Sequence, residues 1–98
     1  MSLRWPGAVL KAKGQALLVQ KRGEEAGAAF QKILDHPGVF SESIEYTLAH
    51  LGLARARISM GDQGEGRKHY QDFFALWKDA DPDIPILKRA KAQYAKLQ

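Results

Sequence analysis

The chain has no cysteine. That excludes disulfides, thiolate metal sites and thiol redox chemistry, and it leaves no trace of the redox character of the compartment. Long apolar runs are missing too. No stretch nears the roughly 18 residues that mark a membrane span, and the opening Met-Ser-Leu-Arg-Trp-Pro has no signal-peptide core. No membrane contact is therefore expected, and the expected location is the cytoplasm. Nor is there sustained period-two alternation, so strands are not expected. A dense basic stripe with exposed aromatics is likewise absent. The net charge is only +4, and the bases between residues 11 and 22 and between 88 and 96 are interleaved or faced with Glu24, Glu25, Asp35, Glu42, Glu45, Asp62 and Asp72. Nucleic acid is accordingly not expected as a partner.

What is present is helical periodicity with regular punctuation. The 98 residues, 45% of them hydrophobic, suit one domain, residues 1–98, with a modest core. Pro6 can open a first helix over about 7–21, striped by Leu10, Leu17 and Leu18 and broken at Arg22-Gly23. Glu24 and Glu25 favour the positive end of a second helix, about 24–35, in which Ala26, Phe30 and Ile33 recur until His36-Pro37-Gly38 stops it. Ser41 or Ser43 can cap a third, about 43–60, carrying Ile44, Leu48, Leu51 and Ile58 with small residues between them. Asp62-Gln63-Gly64-Glu65 has the pattern of a capping box and opens a fourth helix running to about Trp77, with Gly66, Tyr70, Phe73 and Trp77 on one face and Phe74 alongside. Asp81-Pro82 offers an N-cap and a first-turn proline for a final helix over about 82–97, faced by Ile84, Leu87, Ala90, Tyr94 and Leu97.

The helices repeat. Placing Gly14 on Ala54 aligns Ala16 with Ala56, Leu17 with Arg57, Ala26 with Gly66, Phe30 with Tyr70 and Ile33 with Phe73, and it sets Leu10 on His50. Small residues meet small ones and, for the most part, large meet large, as close packing between paired helices requires.

Leu53-Ala54-Arg55-Ala56 followed by Gly61-Asp62, together with Ala26-x3-Phe30, resembles the tetratricopeptide repeat family. The resemblance covers about 7–40 and 47–80, with 82–97 as the first helix of an unfinished third unit acting as a cap. It implies an all-α superhelix of antiparallel helix-turn-helix units with five helices. The stretch from Tyr70 to Pro85 is also similar to C-terminal repeats of large bacterial, particularly acidobacterial, serine/threonine kinases and transcriptional regulators, so a fragment of a signalling protein is expected. Three departures stand out: a 40-residue offset where the family period is 34, which also suits HEAT-type repeats; Arg57 at a tyrosine site; and Lys21 at the turn-glycine site, with Gly23 as a nearby substitute.

Catalysis is not expected. The glycines between Gly61 and Gly66 follow no strand and lack the lysine-serine/threonine ending of a phosphate loop. His36, His50 and His69 have no His-x3-His spacing, so no metal, cofactor or catalytic residue is predicted. His50 is expected to be packed or half-buried.

By the resemblance, the first helix of each pair lines a concave peptide groove. The positions carried over are Lys11, Gln15, Leu18, Leu51, Arg55, Ile58 and Lys88, a mixed basic and apolar strip suited to an acidic or C-terminal segment with an apolar anchor. The plainer reading of these charges is a solvated face. A reading of a different class is self-association into a homodimer through Trp5, Phe74 and Trp77.

Overall fold

The computed structural model describes residues 7–35 and 44–97. Its described residues form five helices and no strand: α1 (Gly7–Val19), α2 (Gly23–Leu34), α3 (Ile44–Ser59), α4 (Gln63–Leu76) and α5 (Pro85–Ala95). None is long and apolar enough to cross a membrane. Pro6 and Trp5, the His36-Pro37-Gly38 stop and the Ser41 or Ser43 cap lie outside the described residues.

The turns inside the two helix pairs are built alike. Arg22 N–H donates to the Leu17 carbonyl at 2.9 Å and Lys21 N–H to that of Leu18 at 3.0 Å. In the second pair, Asp62 N–H donates to Arg57 and Gly61 N–H to Ile58, both at 2.9 Å. This is the Schellman closure, which satisfies orphan carbonyls and needs a left-handed residue between the helices. Lys21 (φ 61°) and Gly61 (φ 83°) supply it. Lys21 thus takes the glycine role itself. Gly23 is no substitute: a Cβ there would meet the Ala56 carbonyl and Met60 Cγ at 3.0 Å, so its bareness lets α2 start against the end of α3. A lysine at positive φ carries a strain that glycine avoids. Lys21→Gly is expected to stabilise the chain by about 0.5–1 kcal/mol, while Gly61→Ala costs about 1 kcal/mol although its Cβ would meet nothing within 4 Å. Urea denaturation midpoints of the two variants check this pair of opposite signs.

Asp62 caps α4 as its spacing predicts, its carboxylate accepting from Glu65 N–H at 3.1 Å. The reciprocal half of the box is replaced, because the Asp62 N–H is already spent on Arg57. The start of α5 differs from expectation more clearly. Pro85, not Pro82, is its first residue, preceded by Ile84 at the N-cap. Asp81 instead closes a tight turn, its carboxylate accepting from Asp83 N–H at 2.9 Å and its carbonyl from Ile84 N–H at 3.1 Å.

Helix α3 is the centre of the packing. Ala49, Leu53 and Ala56 join Leu17 of α1 and Ala26, Phe30 and Ile33 of α2 in one core cluster. Leu48, Leu51 and Ala54 join Tyr70 and Phe73 of α4 and Leu87 and Ala90 of α5 in a second. A helix apolar on two sides must be buried on both, and the alanines and Gly52 let its neighbours approach. Phe30 fills the tightest place: a Cβ on Gly14 of α1 or on Gly52 of α3 would come within 2.6 Å of its ring. The radius of gyration, 13.1 Å, is that of a compact chain of this size.

Candidate functional site

A cleft of about 130 Å³ runs between α1, α3 and α5. Gln15 and Leu18 of α1, Leu48, Leu51, Gly52 and Arg55 of α3, and Ile86 and Arg89 of α5 line it, with the Phe30 ring reaching its wall. Spacings of three and four put each set on one face of its helix. The lining mixes the apolar Leu18, Leu48, Leu51 and Ile86 with Gln15 and with an arginine from each of α3 and α5.

Arg55 is held in place. Its Nε donates to Gln93 Oε1 at 3.1 Å, and the Tyr70 hydroxyl donates to the same oxygen at 3.0 Å. Burial pushes the Tyr70 phenol up from its ordinary value, opposed by the Arg55 charge, so Tyr70 stays a neutral donor. This junction ties α3, α4 and α5 together and borders a second, shallower concavity of about 350 Å³ that includes Ile58, Lys96 and Leu97.

Of the residues carried over for the groove, Gln15, Leu18, Leu51 and Arg55 meet in the cleft, and Ile58 lies in the adjoining concavity. Lys11 and Lys88 line neither. Lys11 sits one turn before Gln15 on α1, and the exposed Lys88 ammonium lies 3.7 Å from Asp83. Arg89 and Ile86 were missed. They lie three apart on α5, beside the buried Leu87 and Ala90, and that i, i+3 spacing next to the apolar face was the signal that could have found them.

On the side of α3 turned away from the cleft, His50 meets His69 and Asp72 of α4. Asp72 Oδ2 lies 4.0 Å from His50 Nδ1 and 3.9 Å from His69 Nδ1, and Glu65 Oε2 lies 3.9 Å from His69 Nε2. The Tyr46 ring stands edge-on to His50, centroids 5.5 Å apart. Burial pushes both imidazoles below their ordinary value, against the pull of Asp72 and, for His69, of Glu65; Arg57 and Lys68 push His69 the same way as burial. Sequence spacing alone does not reveal this meeting, because it depends on how α3 and α4 pack. The glycines from Gly61 to Gly66 form no anion cradle: Gly61 makes the turn, and Gly66 abuts Ile58.

Comparison with family models, with curated proteins and with solved structures finds no match to this chain. The class that the fold defines is an all-α protein of two antiparallel helix pairs and a fifth helix packed against the second pair.

Proposed function

We propose that this chain is a non-catalytic protein-interaction module of the tetratricopeptide type that holds an acidic, extended peptide segment in the cleft between α1, α3 and α5. The observation that carries the reading is that Arg55 and Arg89, from two different helices, line the same cleft as Leu18, Leu51 and Ile86. Arginine grips a carboxylate through two parallel hydrogen bonds, and apolar neighbours strengthen such contacts by excluding water. The equivalent turns and the alternation of small and bulky residues at a 40-residue offset support the family reading, while service to a larger signalling protein rests on the separate resemblance of the stretch from Tyr70 to Pro85. Self-association is the weaker reading, because Phe74 and Trp77 are engaged within the chain: both pack into the second core cluster, and Phe74 stands edge-on to Tyr94 at 5.5 Å.

The test uses fluorescein-labelled ten-residue peptides of graded Asp and Glu content ending in leucine, with fluorescence anisotropy as the readout. Acidic peptides are expected to bind best. Arg55→Glu with Arg89→Glu is expected to weaken binding by at least about tenfold, the loss of one charge-assisted contact or more. Lys11→Glu with Lys88→Glu is expected to change it far less. Equal binding of acidic and neutral peptides, or equal losses in both double variants, would sink the proposal.

A further inference from the structure

The cluster of His50, His69 and Asp72 plays no part in the cleft, and its chemistry is specific. We propose that these three side chains bind one divalent transition-metal ion of the zinc class, joining α3 to α4. Their type and placement both fit. Two imidazoles and a carboxylate form a borderline nitrogen and oxygen donor set, which suits zinc and its neighbours in the transition series and not the all-oxygen preference of magnesium or calcium. His69 and Asp72 are three apart and share a face of α4, while His50 comes from the facing helix. One donor atom from each residue lies within 4.8 Å of those from the other two.

The cluster is unsatisfied as it stands. The Nδ1 atoms of His50 and His69 are both buried and have no hydrogen-bond partner among the described residues. Each faces Asp72 Oδ2 at 3.9–4.0 Å, too far to hydrogen-bond. Donors around a tetrahedral zinc with bonds of about 2.1 Å stand about 3.4 Å apart, so Asp72 must close by about half an ångström, and the imidazole nitrogens, within 4.8 Å of each other, draw in with it around a shared ion. Asp72 has the freedom to do so, with its side chain 44% exposed against 14% for either histidine.

The surroundings complete the site. Glu65 Oε2 lies 3.9 Å from the other nitrogen of His69, so a small movement of this exposed carboxylate would bring it to the place from which a carboxylate orients a metal-bound imidazole. A surface depression lined by Tyr46, His50, Asp72, Ala75 and Leu76 gives entry and room for a water as a further ligand. Arg57 and the exposed Lys68 oppose a cation near His69, and the carboxylates of Asp72 and Glu65 offset them.

The test is calorimetric titration of zinc chloride into the full chain, free of any histidine tag, in chelator-treated buffer. One equivalent is expected to bind, and free zinc at a hundredfold excess over Kd is expected to raise the melting midpoint by about 10 °C. His50→Gln and Asp72→Asn, each checked for helicity, are expected to weaken binding at least about a hundredfold, and Glu65→Gln about tenfold. If a variant fails to fold, nitrogen-15 imidazole spectra of the unaltered chain decide: zinc should shift His50 and His69 and leave His36 unchanged. No saturable binding, binding carried by His36, or undiminished affinity in the folded variants would overturn the proposal.

Discussion

Deleting residues 82–98 is expected to abolish cooperative unfolding and leave a helical but loosely packed chain. Helix α5 closes the second core cluster: Leu87 and Ala90 are buried against α3 and α4, and Ile84, Ile86, Tyr94 and Leu97 pack at its border. Its removal would uncover Tyr70, Phe73, Phe74 and Trp77 together. It would also cost α4 the bonds from Gln71 Nε2 to the Tyr94 hydroxyl at 3.0 Å and from Arg67 to the Leu97 carbonyl at 3.2 Å. A buried leucine alone is worth about 2–5 kcal/mol when cut to alanine, against a total stability of about 5–15 kcal/mol for an ordinary domain. Losing the whole face therefore exceeds what a chain of this size can bear. Thermal melting followed by circular dichroism, with dye binding to exposed apolar surface, checks the result; a sharp melt at the original midpoint would contradict it. Leu87→Ala is the graded form of the same experiment, expected to lower the midpoint by at least about 8 °C.

The features readable in the sequence were those with local causes. Asp62 caps α4 because a carboxylate three residues before an N–H can reach it, and Gly61 turns because glycine tolerates positive φ. The faces of α2 and α4 follow from Phe30, Ile33, Tyr70 and Phe73 at helical spacing. What escaped depends on neighbours distant in sequence. Lys21 adopts a conformation that its residue type disfavours because the turn between α1 and α2 requires it, while Gly23 is bare because α3 lies against it. Two prolines three apart each fit a helix start, and only the turn built on Asp81 decides for Pro85. The face of α5 was legible, since Leu87 and Ala90 are buried as their spacing predicts, but the cleft takes Arg89 and not the Lys88 that the family pattern suggests. The meeting of His50 with His69 depends in the same way on how two helices abut, which neither helix encodes alone.

The second large effect is expected where α1, α2 and α3 converge. Phe30, 1% exposed, is clasped between Gly14 and Gly52, and Phe30→Ala is expected to cost about 3–5 kcal/mol through the cavity it leaves. Gly52→Ala sets two opposed effects against each other. Alanine is favoured over glycine in a helix interior by about 1 kcal/mol, but its Cβ would lie within 2.6 Å of the Phe30 ring, and overpacking costs about 1–3 kcal/mol. The clash should win, so Gly52→Ala destabilises the chain that carries Phe30. In the Phe30→Ala background the obstructing ring is gone and the new methyl group enters the vacated space, so the same substitution should stabilise. A double-mutant cycle by urea denaturation is expected to show this reversal of sign, with a coupling of about 2–3 kcal/mol. Additive effects would mean that Phe30 does not hold the position between the two glycines, and the close approach of α1, α2 and α3 would then need another cause.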